Sequence, residues 1–195
     1  MEKFSKKEKI ALVVFGLILL AIIFQMLIRV NILEIGTARI APLEVAEIDL
    51  SGNLLNQPGV RLSASSLNQN NQSPDRLIDG NSQSFWHIAL DQVGEPAWVM
   101  ADFGAGKKFA VRAMAALPRE DIPRQFFRSA QLLGSDDGEN WIPVSSVILW
   151  GTPRRAGWWK WEFENELAYR YYQLLITDGH EGGDFYSMAG LAFFE

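Results

Sequence analysis

The apolar positions of this chain follow two regimes. From Ile10 to Ile28 it reads IALVVFGLILLAIIFQMLI, 19 residues without a charge or a proline. At about 1.5 Å per residue such a stretch roughly covers a ~30 Å hydrocarbon core. Backbone groups inside lipid must pair within their own segment, so the pattern predicts one transmembrane α-helix over residues 9–30. Beyond Val30 no 3.6-residue period is sustained. Short apolar or aromatic runs alternate instead with Gly, Asp, Asn and Pro, as in PGVRLSASS, PAWVMADFGAGKKFAVRAMAAL, SAQLLGSDDGENWIPV, WWKWEFENELAYRYYQLLITDG and YSMAGLAFFE. Strand-length runs punctuated this way predict an antiparallel sandwich or barrel with only short helical turns.

The segments then divide as a tail (1–8), the helix (9–30), a connector around Pro42 with room for a short strand (31–45), and one domain (46–195). Lys3, Lys6, Lys7 and Lys9 precede the apolar stretch, and only Arg29 and Arg39 follow it closely. The positive-inside rule therefore places the tail in the cytoplasm and the domain outside it, in the periplasm of a bacterium. A cleaved signal peptide is the competing reading. Its apolar core would be shorter, roughly 7 to 15 residues, and RVNILEIGTARIA offers a poor small-x-small site, so a signal anchor is favoured. Gln25 either bonds to a partner helix or sits at the outer boundary, one turn before Arg29.

Composition narrows the function. A net charge of -5 and a pI near 5.1 argue against nucleic acid as a partner. The absence of cysteine removes disulfides, thiolate zinc sites and thiol nucleophiles. No HExxH or GxSxG is present, and Gly104-Ala105-Gly106-Lys107-Lys108 lacks the spacing and the Ser/Thr of a phosphate-binding loop. Glu120, Asp121, Glu162 and Glu164 pair in too many ways to select a general acid. No enzymatic activity is expected.

Six stretches in order resemble the discoidin, or coagulation-factor C-type, family of the galactose-binding-like superfamily. They are Asn53-Leu54-Leu55 with GVRLSASS; Leu77-Ile78-Asp79-Gly80-Asn81 with Ser84-Phe85-Trp86-His87; Trp98 to Gly104; Gly134 to Trp141; Ala168 to Leu174; and YSMAGLAFFE. The resemblance implies a jelly-roll β-sandwich with ligand loops at one end. The residue types also make sense unaided. Asp137-Gly138 suits a positive-φ turn and Trp141 a return to the hairpin core. Asp102 suits the strand face opposite the core, Gly104 the strand's end, and Arg170 a stack or a carboxylate pair.

Three candidate sites remain. The resemblance implies a calcium site at Asp79, Asn81 and Ser84, completed by a Glu in the last strand, but that position holds Gly190. The alternative is that Asp79 only caps its turn. A second site is a ligand mouth with aromatic platforms and planar polar groups: His87, Trp150, Arg154, Arg155, Trp158, Trp159, His180, Glu181 and Asp184. Strand alternation places Trp159 and Trp161 on one face and Trp158 on the other. The third, His180-Glu181-Gly182-Gly183-Asp184, matches no zinc spacing and reads as a solvated turn. The expected function is a membrane-anchored, non-catalytic binding module directed to glycan. The alternative is an accessory or scaffolding subunit of a larger membrane complex, with protein contacts through the sandwich. Lipid-headgroup binding by loop aromatics is a third reading.

Overall fold

The structure is a computed structural model that describes residues 39–40, 43–45, 47–92, 96–149, 157–180 and 185–195. The predicted tail and transmembrane helix lie outside the described residues. All described residues fall in the compact unit Ala38–Glu195. Their strands are β1 (Arg39–Ile40), β2 (Leu43–Val45), β3 (Arg61–Ala64), β4 (Trp86–His87), β5 (Ala97–Asp102), β6 (Ala113–Leu117), β7 (Phe127–Ser135), β8 (Ile142–Pro143), β9 (Val147–Leu149), β10 (Trp158–Glu162), β11 (Tyr171–Gly179), β12 (Ser187–Met188) and β13 (Gly190–Phe194). Helical structure among the described residues is limited to short 3₁₀ turns, as the missing helical period predicts.

One sheet runs β1-β9-β7-β11-β5-β3, with β8 also on β7, and the other runs β13-β6-β10-β2. A two-stranded ribbon pairs β12 with β4. Every pair is antiparallel except β1 with β9. Both β1 and β2 come from the stretch read as a connector.

Alternation along the strands builds the core. Ala97, Val99 and Ala101 of β5, and Tyr172, Leu174 and Ile176 of β11, turn inward from the large sheet. Met114, Ala116, Trp161, Leu191 and Phe193 meet them from the small one. Trp86, Trp161, Phe103, Phe126 and Phe127 are the largest buried side chains around them. Edge strand β13 is closed by Asn53, whose amide oxygen accepts from Phe193 N at 3.0 Å and whose amide nitrogen donates to Leu191 O at 3.4 Å.

The end carrying Asp102 and Ser135 is fastened by polar groups. Arg170 donates to both carboxylate oxygens of Asp102, at 2.8 and 2.9 Å, and lies over the Tyr171 ring at 4.6 Å. Stack and carboxylate pair therefore coexist. The Tyr172 hydroxyl donates to Phe109 O at 2.6 Å and accepts from Val111 N at 3.2 Å. In the hairpin, Gly138 adopts φ 77° and the Asp137 carboxylate accepts from the Glu139 and Asn140 amides. Trp141 is half-buried beside the hairpin and outside the main core, which Val144 joins.

Gly134 is where β7 tolerates no side chain. A Cβ there would stand 2.3 Å from the Tyr169 ring, which is itself buried. Gly134→Ala should cost about 1–3 kcal/mol through overpacking. For a domain this size that lowers the melting temperature by roughly 2–4 °C per kcal/mol. Scanning calorimetry on both proteins checks it; an unchanged transition would mean Tyr169 is not fixed over β7.

Candidate functional site

The strand ends place one set of segments together. Leu117 ends β6, Phe127 begins β7, and Gly179 ends β11 opposite Phe127. Ala97 begins β5 opposite Ile176 of β11, and Ser187 of β12 faces His87 of β4. The turns 65–68, 84–92 and 118–125 thus share one end of the sandwich, opposite the Asp102–Arg170 pair.

That end holds a polar cluster with low exposure. His87 is 5% exposed, Arg119 8%, Ser187 1% and His180 6%, a concentration of buried polar groups that needs internal partners. Arg119 has them. Its Nε donates to Asp121 Oδ1 at 2.9 Å and Nη2 to Asp121 Oδ2 at 2.5 Å, while Nη1 donates to Gln125 Oε1 at 2.9 Å. The guanidinium lies 3.5 Å over the Phe85 ring centroid, a cation–π contact. Gln125 also accepts from the Ser187 hydroxyl at 3.5 Å.

His87 joins this network. Its Nδ1 is 2.6 Å from Ile88 O and donates to it. Burial holds its pKa below the ordinary imidazole value; the bonds to Ile88 and Gln125 pull it up and the Arg119 charge pushes it down. Phe185 packs beside it, ring centroids 5.9 Å apart. On the rim, Gln83 Nε2 donates to Glu120 Oε2 at 2.6 Å. Chemically this is a fixed guanidinium edge, a neutral imidazole, an exposed carboxylate (Asp121) and two aromatic faces. Such groups can exchange hydrogen bonds with hydroxyls and cover an apolar ring face.

The sequence candidates distribute unevenly. His87 is central to the cluster. His180 sits buried at the end of β11, near the Arg128–Asp178 ion pair and bonded to the Phe127 backbone. Trp159 packs against the core on the face of β10 that it shares with Trp161, while Trp158 turns to the outer face of the small sheet. Trp158 therefore does not join His87. Trp150, Arg154, Arg155, Glu181 and Asp184 lie outside the described residues.

At the other candidate, Asp79 Oδ1 accepts from Asn81 N at 2.9 Å, and its carboxylate accepts from Ser84 Oγ at 2.7 and 2.9 Å and from Arg76 at 3.3 Å. The Asn81 side chain accepts instead from Gln83 N at 3.0 Å. Gly190 supplies no side-chain oxygen. Among the described residues no group of three or more His, Cys, Asp or Glu could hold a metal ion. The donor set does not fit a hard cation, which needs many converging oxygens.

Sequence reasoning missed Arg119, Gln125, Phe85 and Phe185 as site residues. Pro118-Arg119-Glu120-Asp121 directly after a strand, and Phe85 beside Trp86-His87, were the available signals.

A profile of the F5/8 type C domain matches residues 61–191. A search of curated proteins returns no match. Among solved structures, the chain is similar to CpGH89CBM32-5 of Clostridium perfringens, determined with GalNAc-beta-1,3-galactose. Identity is 21%, coverage 70% of this chain and 95% of that one, and the TM-score 0.60. It is also similar to the family 32 carbohydrate-binding module of Clostridium perfringens NanJ, determined with galactose (20%, 70% and 93%, TM-score 0.58). A third is chitosan-binding module 1 from a chitosanase/glucanase of Paenibacillus sp. IK-5 (20%, 73% and 98%, TM-score 0.56). At these identities the likeness fixes the fold, an all-β sandwich of the galactose-binding-like type. With most of its length matched by the profile, this chain belongs to the F5/8 type C domain family.

Proposed function

We propose that this protein is a non-catalytic glycan-binding module whose ligand meets the loop end at Arg119, His87 and Asp121. The observation that carries the reading is Arg119: a guanidinium almost withdrawn from water, fixed by Asp121 and Gln125 and seated on Phe85. Fixing a planar donor this way removes side-chain entropy loss from binding, and its remaining N–H edge suits vicinal hydroxyls. Support also comes from the similar modules solved with galactose and with a GalNAc-containing disaccharide. The apolar stretch from Ile10 to Ile28 would hold the module at the outer face of a cytoplasmic membrane, which restricts it to ligands near that surface.

The accessory-subunit reading is favoured by a different observation. Leu67 and Leu90, 39% and 60% exposed, project from the turns at this same end, as contact residues for another protein would. Stoichiometric membrane proteins co-purifying in mild detergent, with no glycan bound, would favour it.

Calorimetric titration with galactose- and GalNAc-terminated oligosaccharides should show binding. Arg119→Ala should weaken it more than tenfold, about 1.4 kcal/mol, and Asp121→Asn, on an exposed residue whose amide oxygen still accepts from Arg119, should weaken it with only a small fall in melting temperature. Trp158→Ala should leave it intact. Equal affinity in all four proteins would remove the site from this end.

A pH prediction follows from the histidines. Burial, with Arg119 and Arg128 adding to it, lowers His87 and His180 below their unfolded value near 6.5. Between the lowered values and 6.5 the unfolded chain binds more protons than the folded one. Their contribution is therefore complete above about pH 6.5 and declines as pH falls below it. The melting temperature should drop from pH 7 to 5, less steeply in His87→Gln. The carboxylates lowered by their partners, Asp102 and Asp121 among them, act only below about pH 4, a separate window. A wild-type curve flat from pH 7 to 5 would contradict buried neutral histidines.

A further inference from the structure

On the outer face of the small sheet, Trp158, Leu117 and Gly190 lie in a row across β10, β6 and β13. The Trp158 indole leans over Gly190 so closely that a Cβ there would stand 2.6 Å from its Cη2, 3.0 Å from its Cζ2 and 3.2 Å from Leu117 Cβ. No side chain fits at position 190 while Trp158 keeps its place. The adjoining cleft of ≈ 150 Å³ is walled by Leu50, Ile78, Leu117 and Trp158, with Gly80 and Asn81 at its rim. Asn53, Asn56 and Ser82 also line it, but on the Gly190 side the wall is the Trp158 indole and Leu117, with no carboxylate.

Across that rim the charge of Asp79 is already answered. Arg76 Nη1 lies 3.3 Å from Asp79 Oδ2, and its Nε donates to Asn71 O at 3.2 Å. The guanidinium thus ties the turn Asn70–Gln72 to the turn that Asp79 closes. The Ser84 hydroxyl, with one proton to give, stands 2.7 Å from Asp79 Oδ2 and 2.8 Å from Asn81 O, and donates best to the charged carboxylate.

We infer that this module is built to hold its loops without calcium: the Arg76 guanidinium supplies the positive charge beside Asp79, and the Trp158 indole fills the space that a ligating carboxylate at position 190 would need. The Asp79 turn is then stapled by protein groups, and neither the fold nor the loop end depends on a divalent cation.

The test is the melting temperature of the full chain in mild detergent, in EDTA and in about 1 mM CaCl₂. A resident calcium site filled at a hundredfold over its dissociation constant would raise it by roughly 5–10 °C. Wild-type protein should melt at the same temperature in both; a calcium-dependent rise overturns the inference. Trp158→Ala and Gly190→Glu reopen the space and restore a carboxylate, Arg76→Ala removes the competing charge, and the three together should acquire the rise. A folded triple variant that stays blind to calcium would overturn the roles given to these residues. Should that variant not fold, the wild-type comparison decides by itself. Melting is read without ligand, so a failed glycan titration leaves the result standing.

Discussion

Burial of Trp86 is the constraint on which the loop end depends. Its indole is wholly removed from water, and its Nε1 donates to Ser66 O at 3.0 Å. On a strand the neighbouring residue must face the other way, so seating Trp86 in the core aims His87 at the loop end. The same alternation acts on β12, where Met188 enters the core opposite Trp86 and Ser187 is left opposite His87. Phe126 and Phe127, stacked with centroids 4.2 Å apart, fix the end of the 118–125 turn from which Arg119 and Gln125 reach the same cluster. Core packing and site geometry are thus one problem. Buried aromatics set the register, and the register sets the polar groups.

The two ends of the sandwich use similar chemistry for different purposes. At one, Arg170 and Asp102 meet beside strand ends and tie β11 to β5. At the other, Arg119 and Asp121 meet within one turn, and Gln125 extends the pair to Ser187. The first pair connects distant strands and has a structural role. The second joins no two sheet strands; its effect is to hold a charged plane beside His87 and over Phe85.

Much of the fold was legible in the sequence because the long strands carry the period-2 pattern. Ala97 to Asp102 alternates buried and half-buried without a break, and so does most of Tyr171 to Ile176. The Asp137-Gly138 turn, the Arg170 pair and the split between Trp158 and Trp161 follow from local rules. What was not legible depends on partners far apart in sequence. Strands β1, β4 and β12 are two residues each, too short to show a period, and exist through their partners. Arg119 reads locally as one more surface arginine; only the approach of Phe85 and Gln125 makes it a buried, fixed group and a candidate for the site. Residue type suits Trp141 to the hairpin core, but how deeply it is buried depends on which residues of the return strand face inward. The tryptophan-rich run stands out by composition, whereas β10 places Trp159 and Trp161 on the core face and turns only Trp158 outward.

The central claim is that the functional surface is the Arg119–His87 end of the sandwich. Backbone and side-chain chemical shifts followed during titration with a galactose-terminated oligosaccharide test it most directly. The account predicts the largest changes at Phe85, His87, Arg119, Asp121 and Phe185. Perturbations gathered around Trp158 and Gly190 instead, or none at saturating sugar, would contradict it.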